Sequence, residues 1–255
     1  MKNQDFLLNW NLLFQFTCHV LMGIDDGSRN LETSASMLEA SKTQGVQQIV
    51  CTPHFDAAKD RMEEFLINRD HAFQVLQKWI DASDAVDIRL YPAAEVFFFR
   101  HMSEVKDLKK LTIRGTNVLL LEMPFDVWED SYISEIEDLC CEYRVVLVHL
   151  ERYMNFKNRK YIRKVIEMTH RLPLYVQINC RSVAEGSMRK KLIKMFRNGE
   201  AHFLGSDSHN MTRRPPNMES GMKALEDSLG TAFVKQLKAQ NRKFLQDARD
   251  EGHDN

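Results

Sequence analysis

The sequence predicts one α/β barrel of alternating strands and helices, and three observations lead there. Short apolar runs that suit buried strands recur along the chain, and segments with helical period lie between them. No stretch rich in Gly, Ser or Pro divides the 255 residues, so one large unit is expected rather than two. The strand-like runs also stop at residues able to bind a metal or organise a site: 48–52 at His54, 88–94 at Glu95, 117–121 at Glu122, 144–148 at His149, 174–178 at Asn179, and 202–205 at Asp207 and His209. In strand-helix barrels the loops after the strands converge on one mouth, where chemistry collects. Oxygen and imidazole donors arriving there from many strands suggest a metal cluster.

The elements follow in order. Residues 6–24 carry no Asp, Glu, Lys or Arg and are long enough to cross a bilayer. Asn9, Asn11, Gln15 and His19 interrupt them, Asp5 sits where a signal peptide wants positive charge, and no small-residue cleavage site follows. A buried first strand and its lead-in are expected, with no membrane insertion. Asn30 can cap a helix whose apolar face includes Leu31, Ala35 and Leu38, and Gly45 is placed to end it. Met62, Phe65, Leu66, Phe73, Leu76 and Ile80 repeat at helical spacing, with Arg69 as the one break in the stripe. Ile133, Ile136 and Leu139 precede the strand at His149, and Ile162, Val165 and Ile166 precede the strand 174–178. Met188, Leu192, Ile193 and Phe196 precede the strand at His202, and Met218, Met222, Leu225 and Leu229 begin a helical C-terminus. The domain is expected to span 1–245, with 246–255 a frayed tail.

A formal charge of -1 with interspersed signs argues against a nucleic-acid stripe or a polybasic membrane patch. The five cysteines show no CxxC spacing, and their odd count within apolar runs suits core thiols in a reducing cytoplasm. None has an arginine six residues later, which excludes the Cys-x5-Arg loop of cysteine-dependent phosphatases. Taken singly, Glu95 suits a surface carboxylate and His149 a satisfied core histidine. Their recurrence at strand ends outweighs that, because a buried charge costs several kcal/mol unless paired or metal-bound, so Glu95, Glu122 and Asp207 there call for a cation.

The residues that carry this pattern form recognisable stretches: Gly23-Ile24-Asp25-Asp26-Gly27-Ser28, Thr52-Pro53-His54, Ala94-Glu95, Leu121-Glu122-Met123-Pro124, His149-Leu150-Glu151-Arg152-Tyr153, Gln177-Ile178-Asn179, and Ser206-Asp207-Ser208-His209-Asn210 followed by Arg214-Pro215-Pro216. Over residues 16–229 the chain resembles the PHP-fold protein-tyrosine phosphatases of bacterial capsule and exopolysaccharide clusters, the CpsB/YwqE type. The resemblance implies a distorted TIM-like (β/α)7 barrel and a cluster of two or three metals, manganese by family with iron or zinc as alternatives. It implies that Glu95 bridges two metals, one completed by His19 and Asp207 and the other by Glu122 and His149. A third metal would take Asp26, His54 and His209. Arg152 and Arg214 match arginines expected to grip the phosphate. The implied substrate is the phosphotyrosine tail of the tyrosine kinase that controls polysaccharide export.

One stretch departs from the family. Where it carries Asp-x-His-x-His, this chain reads Gln15-Phe16-Thr17-Cys18-His19, and Met22 replaces the usual proline. A hydroxyl is a weak donor to a transition metal, so the first metal is expected to be weak or absent. The alternatives are a catalytically impaired binding protein, a site of two metals or one recruiting Cys18, and an altered N-terminal reading of the gene. A small-molecule phosphomonoesterase of the histidinol-phosphatase kind would share the metals but usually has His in place of Glu122.

Overall fold

The strand segments pair in parallel throughout. The computed structural model describes residues 13–83, 86–155 and 157–253, so the part of the expected lead-in that precedes residue 13 lies outside the described residues. The strands are β1 (Leu13–Gln15), β2 (Val46–Cys51), β3 (His54–Phe55), β4 (Arg89–Pro92), β5 (Glu95–Phe97), β6 (Val118–Glu122), β7 (Arg144–Leu147), β8 (Leu174–Asn179) and β9 (Phe203–Gly205). They run in the orders β1-β2-β4 and β3-β5-β6-β7-β8-β9. β3 continues β2 after Thr52-Pro53, where proline has no N–H to give the ladder, and β5 continues β4 after Ala93-Ala94. The backbone N–H of Asp207 donates to Thr17 O at 3.1 Å and that of His19 to Ser208 O at 2.9 Å, so the last strand meets the first. The result is the expected distorted α/β barrel with seven strand positions among the described residues.

Each strand run expected from the sequence is present, displaced by a residue or two at its ends. The helices are α1 (Leu31–Thr43), α2 (Met62–Asp81), α3 (Asp130–Leu139), α4 (Arg159–Met168), α5 (Cys180–Ala184), α6 (Arg189–Arg197), α7 (Met218–Leu229) and α8 (Thr231–His253). Asn30 caps α1 by accepting from Thr33 N at 2.9 Å, and Gly45 follows with φ +80°, a conformation other residues adopt at a cost. Arg69, the break in the α2 stripe, is buried because it has partners: Nη1 donates to Lys110 O at 2.9 Å and Nε to Asp70 at 3.0 Å. Between β5 and β6 the chain makes 3-10 turns at Met102–Glu104 and Leu108–Leu111 in place of a crossover helix.

Side-chain alternation divides the core in two. Leu119 and Leu121 of β6 pack outward against the helices, while Val118 and Leu120 face the barrel interior with Phe14, Phe16 and Phe203. α8 lies across the end where the strands begin. The ring of its Phe244 stands 4.8 Å from Phe203 and 4.6 Å from Tyr175, and the guanidinium of Arg144, which opens β7, lies over it. This corrects the expected frayed tail: α8 stays helical to His253, because Ala248 is fully buried against the barrel and Arg249 lies 4.6 Å over the Tyr91 ring. No helix among the described residues is long and apolar enough to cross a membrane.

His202, just before β9, accepts from Val176 N through Nδ1 at 3.1 Å. Burial, helped by the charge of His170, pulls its pKa down to about 4 from an ordinary 6.5. The folded imidazole stays neutral over a range in which the unfolded chain binds a proton, so this contribution is complete above about pH 6.5 and is lost as pH falls towards about 4. Thermal melts of the protein and of His202→Gln should therefore converge as the pH is lowered through that window. A difference that does not vary with pH there would dissociate His202 from acid sensitivity.

Candidate metal centre

The loops at the C-terminal ends of the strands bring the sequence-predicted donors together. His19 follows β1, His54 begins β3, Glu95 begins β5, Glu122 ends β6, His149 follows β7, and Asp207 and His209 follow β9. Asp26 comes from the loop after His19. That loop folds back so tightly, with Ser28 N donating to His19 O at 3.0 Å, that a Cβ at position 27 would overlap His19, which accounts for Gly27. Two site residues hold left-handed backbone, His149 at φ +37° and Asp207 at φ +52°. Such strain persists only where the surroundings impose it. Here Gln177 Oε1 accepts from His149 N at 2.7 Å and Thr17 O accepts from Asp207 N.

Glu95, fully buried, sits at the centre. Its Oε1 is 2.9 Å from His149 Nε2, and its Oε2 is 3.5 Å from His19 Nε2. His19 Nε2 is also 3.5 Å from Asp207 Oδ1. Three buried atoms thus converge, His19 Nε2, Glu95 Oε2 and Asp207 Oδ1, and none has a hydrogen-bond partner. Orphaned buried polar atoms are costly, and a cation between them removes the cost. The other side of the His19 ring fits this reading: Nδ1 lies 2.6 Å from Asp25 Oδ2, and an ionised carboxylate only accepts, so Nδ1 carries the proton and Nε2 presents its lone pair inward. Burial alone would pull His19 down, yet Asp25, Asp207 and Glu95 raise its pKa well above the usual value. The cluster wants positive charge at that nitrogen, whether proton or metal.

The remaining donors form two further groups. His54 Nδ1 is 3.5 Å from Glu122 and 3.7 Å from Glu95, and His149 Nε2 is 3.4 Å from Glu122. Burial and the neighbouring charge of Glu95 push Glu122 up to about 7. Asp26, with its side chain 69 % exposed, lies 3.3 Å from His209 Nε2 and 3.6 Å from His54 Nε2. Burial and the His19 charge bring His209 down to about 4, so it is neutral near pH 7, with Nδ1 donating to Asp207 O at 3.0 Å.

Arg152 and Arg214 meet at one atom, Asp207 Oδ2: Arg152 Nη2 donates to it, and Arg214 Nη2 lies 2.5 Å away. Arg214 Nη1 also lies 2.7 Å from His209 Nε2. Both guanidiniums are about one-third exposed and face the mouth. Asp207 is held well below the usual carboxylate range, against its burial, by His19 and the two arginines.

Positioning residues complete the centre, Asn179 from the strand ends the sequence points to and Asp25, Tyr153 and Gln177 beyond the sequence-predicted set. Asp25 holds His19 and accepts from His54 N at 2.9 Å. Tyr153 OH accepts from Met123 N at 3.1 Å and faces His149 Nδ1 at 3.1 Å, fixing that ring. Gln177 donates to Asn179, and Asn179 Nδ2 donates to Asp207 Oδ2 at 3.0 Å. Asp25 had a visible signal in the Asp25-Asp26 pair, but sequence alone does not say which of two adjacent carboxylates turns to which imidazole.

Recruitment of Cys18 does not fit the geometry. Cys18 lies between Thr17 and His19 on an extended segment, so it points to the opposite face, where Sγ is 3.3 Å from Ser208 Oγ. Burial also pushes its thiol up to about 11, which disfavours nucleophilic attack by Cys18. Thr17 faces inward, and its Oγ1 is buried without a partner.

The chain has relatives of known name. It is 26 % identical over 239 residues to the tyrosine-protein phosphatase CpsB of Streptococcus agalactiae serotype III (strain NEM316), covering 89 % of this chain and 95 % of that protein. It is 26 % identical over 223 residues to the tyrosine-protein phosphatase YwqE of Bacillus subtilis (strain 168), covering 84 % of each. Its fold matches a crystal structure from a study of YwqE from Bacillus subtilis and CpsB from Streptococcus pneumoniae, described as unique metal-dependent tyrosine phosphatases, with a TM-score of 0.74, 23 % identity and coverage of 89 % of this chain and 92 % of that one. The family model for capsular polysaccharide synthesis proteins CpsB/CapC matches residues 13–246. Strand-end donors on a parallel barrel and a family match over nearly the whole chain lead to one assignment: the protein belongs to the CpsB/CapC capsular polysaccharide synthesis family.

Proposed function

We propose that the protein is a metal-dependent protein-tyrosine phosphatase. The observation that carries this reading is the convergence of His19 Nε2, Glu95 Oε2 and Asp207 Oδ1, unpartnered and buried, beneath the guanidiniums of Arg152 and Arg214. The relatives' names supply the substrate class.

His19, Glu95 and Asp207 would hold one ion, Glu95, Glu122 and His149 a second, and Asp26, His54 and His209 a third. The mixed carboxylate and imidazole donors suit manganese, with iron and zinc as alternatives. Bound there, the metal would supply Lewis-acid charge for the phosphoryl oxygens and make water nucleophilic near neutral pH. The protein's own part is positional. Glu95 turns one oxygen towards each of two donor groups. Asp25 and Tyr153 keep the His19 and His149 rings in place. Arg152 and Arg214, held at Asp207, present planar donors to the phosphate, where a bidentate fork orients it better than an ammonium would. A cysteine mechanism is disfavoured, since burial raises the thiols of Cys18, Cys51, Cys140 and Cys180.

The proposed substrate is the phosphotyrosine-bearing tail of a bacterial tyrosine kinase in capsule or exopolysaccharide synthesis, met in the cytoplasm. The free cysteines suit a reducing compartment. A second reading, a binding protein that docks on the kinase without turnover, is favoured by one observation: Thr17, its hydroxyl buried without a partner, stands where the resemblance implies an imidazole. Elemental analysis of the purified protein, paired with hydrolysis of a phosphotyrosine peptide with and without added manganese, separates the two. Two or three ions with turnover are expected, and His209→Ala should abolish turnover and lower metal content. A metal-loaded protein that leaves the peptide intact would favour the binding reading.

A further inference from the structure

A cleft of about 440 Å³ opens beside Asp207, and its walls carry more positive charge than the proposed reaction uses. Four arginines line it, Arg152, Arg181, Arg213 and Arg214, against two carboxylates, Glu185 and Asp207. Arg152 and Arg214 are already committed to Asp207. The other two are not. Arg181 Nε lies 3.9 Å from Glu185 with both side chains more than two-thirds exposed, a contact worth little in water. Arg213 has its backbone N–H fixed by Asn210 Oδ1 at 2.8 Å, while no ion pair holds its guanidinium among the described residues. Its neighbour Arg214 is the phosphate-facing residue, so the loop 210–214 sets one guanidinium over the mouth and a second on the cleft wall. The cleft size lies in the range of ligand sites. Its wall adds Ser220 and Asn217, which are polar and uncharged.

We propose that this cleft is a subsite for a second anionic group on the substrate chain, near the phosphotyrosine, with Arg181 and Arg213 as its specificity-determining residues. The inference rests on the reading of the neighbouring centre as a phosphotyrosine site. The anion is an aspartate or glutamate side chain or a second phosphate. Both answer to the same chemistry, since a guanidinium binds carboxylate and phosphate alike through paired N–H donors. Complementary charge beside a reaction centre raises encounter rate and fixes register, and it weakens with salt.

The test is binding of fluorescent peptides bearing a non-hydrolysable phosphonate analogue of phosphotyrosine to the metal-loaded full chain, measured by anisotropy. One peptide carries neutral flanks, one aspartates, and one a second phosphonate. At low salt the anionic peptides should bind about fivefold more tightly than the neutral one, a preference that shrinks at high salt. The double variant Arg181→Glu, Arg213→Glu should bring that ratio to one or below. Both positions are exposed, and a melting curve on each variant shows that the fold is kept. Preference for one anionic peptide alone supports the subsite and names its source. Equal affinity for all three peptides, or a preference that survives the double variant, would overturn it. Turnover of the matching phosphotyrosine peptides is scored separately. If the binding preference stands while no peptide is hydrolysed, the phosphatase reading fails and the subsite does not.

Discussion

Glu95→Gln is expected to lower turnover of a phosphotyrosine peptide by on the order of a thousandfold, the equivalent of several kcal/mol of lost charge stabilisation, and to reduce bound metal in the same preparation. The substitution keeps the shape of the side chain and removes its charge. Glu95 faces three imidazoles, with His149 at 2.9 Å, His19 at 3.5 Å and His54 at 3.7 Å. Against its full burial, His149 and His19 hold its pKa below the usual carboxylate range, so the native centre keeps it ionised. A neutral amide would donate a hydrogen towards one of those rings and take away the anion on which two of the proposed metal groups depend. Activity and metal content within twofold of the unmodified protein would remove Glu95 from the centre.

Thr17→His should act in the opposite direction, tightening metal binding by about tenfold or more, which corresponds to about 1.4 kcal/mol. Thr17 lies two residues from His19 on an extended segment and so faces the same side. Its Oγ1 is buried without a partner, and Gly205 opposite leaves room that a Cβ would close by overlapping Thr17 and Gln177. An imidazole there supplies the donor that the family resemblance implies. Overpacking can cost about 1–3 kcal/mol of stability, so affinity is read by metal titration on protein shown to be folded, with Thr17→Val as the isosteric control that adds no donor. Equal affinity in the protein and in Thr17→His would mean that position 17 does not limit the site. Tighter metal without faster turnover would place the defect elsewhere, in the arginines at Asp207 or in the positioning of water.

Much of the centre is legible in the amino-acid sequence. His54, Glu95, Glu122, His149, Asp207 and His209 each follow a strand-like apolar run, and the fold brings all of them to one mouth. Local chemistry explains this, because a strand that must be buried and then end in a charged residue can satisfy that residue only among other strand ends. The partners of these donors are less legible. That Arg152 and Arg214 converge on Asp207, that Tyr153 locks His149, and that Asn179 reaches Asp207 are contacts made by the folded chain, and those of Arg152 and Asn179 with Asp207 join segments far apart in sequence. Cys18 stays open as a ligand in the sequence because spacing does not say which face of the first strand turns inward.

Apolar period and side-chain chemistry are properties of short stretches, so the order of strands and helices, the donors at the strand ends and the departure at Thr17 all follow from the amino-acid sequence. Which donors meet is a property of the assembled barrel. The parallel bridge between Cys18 and Ser208 joins the segments that follow the first and last strands and sets the register that places His19 beside Asp207. Assembly also carries α8 on through residues 246–253 of the expected tail, because Phe244, Leu245 and Ala248 of that helix plug the end of a barrel that only the complete fold creates.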